Sequence, residues 1–224
     1  MKNFLKKRWF LILSFMIPVI LMLVHAIVHK IWFTGNGSIL VGDSMVQILP
    51  MYHGLWNKVH GGESLSYTWN IGGGMDYSSL VGYTPLPFSI LMLIVPKNQI
   101  ANMLQLTIVL KWALSSLTAT FFFYKTKFNT IQSHKELFSL FLGLGFSLSN
   151  GVVYFVSYPQ LVDPVICLPL LLLLIEKMYE EKTWKLYYLI LSLSMLSCLY
   201  MTYMVCIFLF IWFVFVYEKN TKEI

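Results

Sequence analysis

The residue with the clearest capacity for chemistry is Asp43, which stands directly before a segment with helical apolar spacing. One interpretation is an N-cap, whose side chain accepts hydrogen bonds from free amides at a helix start. Caps are common, so the residue pattern alone favours this interpretation. The other interpretation is a general base, because a carboxylate beside an apolar interface is partly desolvated and its pKa rises toward the range that suits proton abstraction. The two roles are compatible.

Two further ionisable residues have one structural and one functional interpretation each. Asp163 lies in the short segment YPQLVDP (158–164), where it either caps a helix or faces the same cavity as Asp43. Lys111 lies in the middle of an apolar run, where a charge is costly unless it has a polar partner. It is either a counter-ion for a lipid phosphate or a packing lysine that pairs with an aspartate or the backbone.

Several common site types are excluded by their missing residues. His53 and His60 have no third ligand at metal spacing, so the sequence predicts no zinc site. The run Gly72–Gly74 is not a phosphate-binding loop, because no Lys-Ser/Thr follows it. The three cysteines lie in apolar stretches without a CxxC pair, and we interpret them as small hydrophobic residues.

The elements that must position these residues are membrane helices. The 224 residues are 58% hydrophobic and only 12% charged, whereas a soluble domain carries about 25% charged residues. An ordinary soluble enzyme, a disordered chain and a disulfide-stapled secreted module are therefore excluded. The net charge of +6 lies in short clusters between apolar runs, which argues against nucleic-acid binding and for the positive-inside rule.

Apolar runs predict an all-α polytopic bundle of about six spans. The first, Trp9–Val28, has 20 uncharged residues, which is about the length that crosses a ~30 Å hydrocarbon core. We favour an uncleaved span over a signal peptide, because no convincing small-residue cleavage site follows it. The predicted spans are 9–28, 100–124, 137–156, 164–178, 186–198 and 203–217. The last two divide one apolar stretch near 198–202, with a single tilted helix as the alternative. The run 85–96 is too short to cross and is predicted to be interfacial or re-entrant.

Positive charges orient this bundle in the cell membrane. With both termini in the cytoplasm, 12 of the 16 Lys and Arg residues fall on the inner side and three on the outer side. The same orientation places Asp43, Asp76 and Asp163 outside.

The first outer loop, 30–84, is the only long polar segment, and it holds ten of the 13 glycines. Apolar residues recur at helical spacing between Met45 and Val59, with Gln47, His53 and Asn57 on the other face. We therefore expect an amphipathic interfacial helix that Pro50 bends and that ends at Gly61-Gly62.

Two stretches of the chain resemble the YfhO family of bacterial membrane proteins. They are Gly42–Tyr77 (GDSMVQILPMYHGLWNKVHGGESLSYTWNIGGGMDY) and Leu161–Met204 (LVDPVICLPLLLLLIEKMYEEKTWKLYYLILSLSMLSCLYMTYM). The specific parts are the Asp43…Gln47…Pro50 spacing, Gly61-Gly62, Trp69-Asn70, Asp163 and Pro169-Leu170. In the fifth-to-sixth span, Cys198-Leu199 stand where the family usually carries Asn-Tyr.

The resemblance implies a GT-C-like glycosyltransferase that takes a sugar from an undecaprenyl-phosphate carrier on the outer face and transfers it to a teichoic-acid-like polymer. It favours Asp43 as the catalytic base, or as a ligand for a divalent metal in metal-using relatives; no other cofactor is predicted. The substrate-binding residues expected on this basis are Asp163, Gln47, His53, Asn70, Asp76 and Lys111.

Family members continue with further spans, so the resemblance implies the N-terminal portion of such an enzyme. A second polypeptide is then expected to supply the rest. Two alternatives stay open: a lipid-linked sugar transporter or flippase component, and a truncated non-catalytic fragment.

Overall fold

The uncharged runs of the sequence form long helices, which dominate this computed structural model. The structure describes residues 2–69, 73–76, 88–131, 133–181 and 184–222. Its α-helices are α1 (Lys2–His29), α2 (Leu49–Gly61), α3 (Ser89–Ile94), α4 (Ile100–Lys125), α5 (Lys135–Ser147), α6 (Asn150–Tyr154), α7 (Val162–Glu181), α8 (Trp184–Ser197) and α9 (Leu199–Lys222). A small antiparallel pair joins β1 (Tyr67–Thr68) to β2 (Met75–Asp76).

Four helical segments of the described chain are long and apolar enough to cross a membrane. They are Arg8–His29, Lys97–Lys125, Lys135–Tyr154 and Leu199–Val216. Helices α7 and α8 fall outside this set, because α7 carries three charged residues within its first 16 and α8 has only 14 residues. The chain is therefore an all-α helical membrane protein, as the sequence predicts, and the total of six spans stays a prediction.

Two of the predicted apolar stretches are broken into separate helices. Cys198 alone separates α8 from α9, inside the interval where the sequence analysis divides this apolar stretch. The predicted span 137–156 is interrupted after Ser147, and the chain resumes as α6 at Asn150. The predicted interfacial run 85–96 begins outside the described residues, and its described part contains α3.

Helix α4 is the centre of the bundle. The most apolar part of Lys97–Lys125 is 67% buried, against 22% for Arg8–His29 and for Leu199–Val216. Helices α1, α5 and α7 all pack against α4. We call the end of the bundle where α4 begins the loop end, and the end where it finishes at Lys125 the far end.

A side chain of α4 fastens the start of the first loop to the loop end of the bundle. Gln105 of α4 accepts a hydrogen bond from the Ile39 amide at 2.8 Å through its Oε1. A π-helical turn, Ser44–Ile48, then leads into α2, with Pro50 in the first turn of α2, where its missing N–H costs least. Gly62, with φ +67°, ends α2 in the left-handed conformation. The amphipathic segment that the sequence predicts is thus a π-turn followed by an α-helix.

Candidate functional site

Asp43 precedes the π-turn but does not cap it. Its side chain makes no capping hydrogen bond. Ser44 satisfies the local backbone instead: its hydroxyl donates to the Val41 carbonyl at 2.7 Å and accepts from the Val41 amide at 2.9 Å. The Asp43 carboxylate is half-buried and is left for other partners.

The partner of Asp43 is Tyr158, which lies between α6 and α7. A hydrogen bond from the phenol to the Asp43 carboxylate, together with the carboxylate charge, raises the pKa of Tyr158, because the phenolate would face a like charge. The backbone of Gly42 also approaches the Ser157 side chain, since a Cβ added to Gly42 would lie 3.3 Å from Ser157 Oγ. Gly42 has φ +54°, a conformation that glycine adopts without strain. The segments 42–43 and 157–158 therefore meet at two places.

Lys111 and Asp163 form a buried ion pair. The ammonium Nζ lies 2.8 Å from Asp163 Oδ1 and 3.0 Å from Oδ2, and only 2% of Lys111 and 3% of Asp163 are exposed. Nζ also donates to the Pro159 carbonyl at 3.0 Å and lies 4.7 Å from the centre of the Phe88 ring. Of the two roles left open for Lys111, this geometry is that of the packing lysine paired with aspartate and backbone.

Tyr158 and Pro159 connect Asp43 to the buried ion pair. Tyr158, which contacts Asp43, is bonded covalently to Pro159, whose carbonyl contacts Lys111. Tyr52 of α2 is 3% exposed, and its pKa is raised by burial and by the negative charge of Asp163. The segment from Tyr158 to Asp163 thus links the two carboxylates, of which Asp43 is half-buried and Asp163 is buried.

Gln47 and His53 lie on the same amphipathic segment as Asp43. Gln47 is half-buried in the π-turn. His53 is half-buried in α2, and its Nδ1 is buried without a hydrogen-bond partner among the described residues. Burial and the positive charge of Lys97 lower the pKa of His53, since both disfavour the imidazolium.

The two remaining predicted residues belong to the glycine-rich part of the loop. Asp76 is exposed in β2 and pairs with Tyr67 of β1. Asn70 lies outside the described residues. Neither is linked to Asp43 by the contacts described above, and their substrate-binding roles stay predictions.

The described residues do not assemble a ligand set for a divalent metal. No group of three or more His, Cys, Asp or Glu side chains comes together among them. Asp163, the carboxylate predicted to share a cavity with Asp43, is already neutralised by Lys111. A divalent metal at Asp43 stays a prediction.

Tyr158 is the site residue that sequence reasoning missed. The only available signal was its position beside Pro159 in the turn that ends at Asp163. A second buried carboxylate was missed as well: Glu176 of α7, which is 1% exposed, accepts hydrogen bonds from the Thr126 hydroxyl at 2.7 Å and the Lys127 amide at 3.0 Å. Glu176 lies at the far end, where it ties α7 to the end of α4.

Fold and site together define a polytopic helical membrane protein that carries two aspartates, Asp43 and Asp163, at the loop end of its bundle. The family model described as bacterial membrane protein YfhO matches residues 14–224. The chain belongs to the YfhO family. Comparisons with curated proteins and with solved structures found no match.

Proposed function

We propose that this chain is a membrane glycosyltransferase, or the N-terminal part of one, with Asp43 as its catalytic base. The observation that supports this most strongly is the state of the Asp43 carboxylate. It is half-buried at the loop end of a membrane bundle, it caps no helix, and it receives the Tyr158 phenol. A carboxylate in such a place is free to accept a proton from a substrate hydroxyl.

The proposed donor is a sugar on a polyprenyl phosphate such as undecaprenyl phosphate, and the acceptor is a hydroxyl of a teichoic-acid-like polymer. The distribution of Lys and Arg supports an outer position for the first loop and a cytoplasmic position for both termini. The long isoprenoid tail would stay in the bilayer, so only the phosphate and sugar need to reach the loop end.

The proposed reaction is a single displacement at the anomeric carbon. Asp43 takes the proton of the acceptor hydroxyl as the hydroxyl oxygen forms a bond to that carbon. The bond from the carbon to the phosphate oxygen breaks, and its electron pair leaves on the lipid phosphate. Gln47 and His53, which share the amphipathic segment with Asp43, are proposed to bind the substrate, as are Asn70 and Asp76 from the later part of the loop.

Reconstitution tests this proposal. The purified chain is placed in vesicles with undecaprenyl-phosphate sugar and a teichoic-acid acceptor, and labelled sugar on the polymer is measured for the unchanged chain and for Asp43→Asn. Transfer that Asp43→Asn abolishes supports the enzyme. Movement of the carrier across the vesicle membrane without transfer identifies the transporter alternative, and transfer only after addition of a second polypeptide identifies a divided enzyme.

Orientation has its own test. A cysteine at position 43, in a chain whose native cysteines are replaced, is treated in intact cells with a membrane-impermeant thiol reagent. Labelling from outside supports the proposal. Labelling only after the cytoplasm is opened would contradict it.

A further inference from the structure

The proposed reaction uses Asp43 and gives no role to the buried ion pair of Lys111 and Asp163. Lys111 and Asp163 are almost completely inaccessible. The Lys111 ammonium donates to Asp163 Oδ2 and to the Pro159 carbonyl, and Asp163 Oδ1 lies 2.8 Å from it as an ion-pair contact. Only 2% of Lys111 is exposed, so the ammonium is closed off from a lipid phosphate.

We propose that Tyr158 is a positioning residue for Asp43, and that the Lys111–Asp163 ion pair holds the turn that carries Tyr158. This inference rests on the proposed function for the role of Asp43 as base. It replaces the predicted substrate contacts of Lys111 and Asp163 with a supporting role.

The turn is fastened at both of its ends by one ammonium group. Lys111 Nζ contacts the Pro159 carbonyl at the start of the turn and the Asp163 carboxylate at its end. Tyr158 lies just before this turn, where its amide donates to the Phe155 carbonyl at 2.9 Å and its carbonyl accepts from the Leu161 amide at 2.9 Å. The backbone of Tyr158 is therefore fixed on both sides, which limits the directions that its phenol can take.

The phenol in turn restricts the Asp43 carboxylate. Asp43 begins the helical segment with φ −66° and ψ −23°, but its side chain makes no capping hydrogen bond, so an external contact is needed to hold the carboxylate in one orientation. A hydrogen bond from Tyr158 occupies one side of the carboxylate and leaves the remaining lone pairs for an acceptor hydroxyl. Gly42 lies close to Ser157, and a larger residue at position 42 would crowd the Ser157 hydroxyl at 3.3 Å and would be strained at φ +54°.

A measurement that does not depend on sugar transfer tests the contact. 3-Fluorotyrosine is incorporated at position 158, and its ionisation is followed by fluorine NMR in detergent micelles. Among the described residues, Asp43 and Tyr154 are the groups that face Tyr158. We expect the titration midpoint to fall in Asp43→Asn, because the carboxylate no longer opposes the phenolate. Glu63→Gln removes a carboxylate from an exposed part of the same loop and should leave the midpoint unchanged.

The role of the ion pair is tested in the same way. Lys111→Met alone leaves a buried carboxylate and is expected to fold poorly, so the double variant Lys111→Met with Asp163→Asn is used. If the pair holds the turn, the fluorine resonance of position 158 broadens or shifts and its midpoint moves toward that of Asp43→Asn. A midpoint and line width identical to those of the unchanged chain would overturn the proposal for the pair. An unchanged titration midpoint of the residue at position 158 in Asp43→Asn would overturn the proposal that Tyr158 contacts Asp43.

Kinetics separate positioning from simple structural support. In the transfer assay we expect Tyr158→Phe to lower kcat about tenfold, because one hydrogen bond to a charged group is lost. We expect KM to stay unchanged and the pH profile of kcat to be displaced. Tyr154→Phe, which changes an exposed ring of the same segment, should match the unchanged chain. Equal kcat values for the two variants would overturn the positioning role. Absence of transfer by the unchanged chain would instead overturn the proposed function, and the fluorine titration would still decide the contact.

Discussion

The two halves of α4 are held in the bundle by different means. The half at the loop end is tied to α7 by a charged pair, Lys111–Asp163. The half at the far end is tied by close contact, with Gly143 of α5 against Thr120, and by the buried Glu176 carboxylate, which accepts from the Thr126 hydroxyl and the Lys127 amide. The Lys111–Asp163 pair lies near the half-buried Asp43, whereas the far end combines a close helix contact with a carboxylate bonded to the chain just after α4.

This difference shows that burial in a membrane bundle does not follow hydropathy. Helix α4 is the most buried of the four candidate spans, yet its mean hydropathy is below that of α1 and α9. Its buried face carries small hydroxyl residues that bond to its own backbone, such as Thr107 to the Met103 carbonyl and Ser115 to the Trp112 carbonyl, each at 2.8 Å. Small residues let neighbouring helices approach closely, which is how membrane helices gain packing energy.

The largest effect on stability is expected from Lys111→Met. This variant leaves Asp163 buried without its counter-charge, and the loss in free energy of unfolding should be about 3–5 kcal/mol. The double variant with Asp163→Asn should recover most of that loss, because no unpaired charge remains. Unfolding of the purified chain in mixed micelles measures both; a double variant less stable than Lys111→Met would contradict a paired role.

The next largest effect on stability is expected at Gly143 of α5, and Gly145 of the same helix is its control. A Cβ on Gly143 would lie 2.7 Å from the Thr120 amide nitrogen and 2.8 Å from its Cα, so Gly143→Ala must push α5 away from α4. We expect a loss of about 1–3 kcal/mol in the same unfolding measurement. Gly145→Ala is the matched control. A Cβ there meets nothing within 4 Å, and the change should be neutral or stabilising by up to about 1 kcal/mol. Equal effects at both positions would show that α4 and α5 are not in close contact.

A smaller effect is expected from Glu176→Ala at the far end. The buried Thr126 hydroxyl and the part-buried Lys127 amide lose their acceptor, and the loss should be about 1–3 kcal/mol, with Glu176→Gln intermediate because one oxygen is kept. The control is Glu63→Ala, which removes an exposed ion pair to Lys58 and should change stability by less than about 1 kcal/mol. If Glu176→Ala behaves like Glu63→Ala, the tie between α7 and the end of α4 contributes little.

The smallest effect concerns pH and His53 at the loop end. Its pKa is lowered in the folded chain from the ordinary value of 6.5, so below that pH the unfolded chain binds a proton more readily than the folded one. The contribution of His53 to stability is therefore present in full above pH 6.5 and is lost as the pH falls through the lower folded pKa. His53→Gln should flatten this part of the stability profile. A profile with the same slope in both chains would contradict the assignment.

The sequence predicts the long helices better than their contacts. Apolar runs locate α1 and α4, Gly61-Gly62 marks the end of α2, and Asp43 is recognisable by its place before an amphipathic segment. The pairing of Lys111 with Asp163 joins residues 52 apart, and no local pattern fixes the rotation of α4 that makes it. Tyr158 escaped prediction for the same reason: its importance comes from the approach of a distant loop. Glu176 has the sequence pattern of any acidic residue near a span end, and its contact with Thr126 is visible only in the fold.

The central proposal is that Asp43 removes the proton of the acceptor hydroxyl. Its most direct test is the rate of sugar transfer by vesicles that carry equal amounts of folded Asp43→Asn or Glu63→Gln, each compared with the unchanged chain. The account predicts a loss of at least about 100-fold for Asp43→Asn, the lower range for removal of a general base, and no loss for Glu63→Gln. Transfer by Asp43→Asn at the rate of the unchanged chain would contradict it.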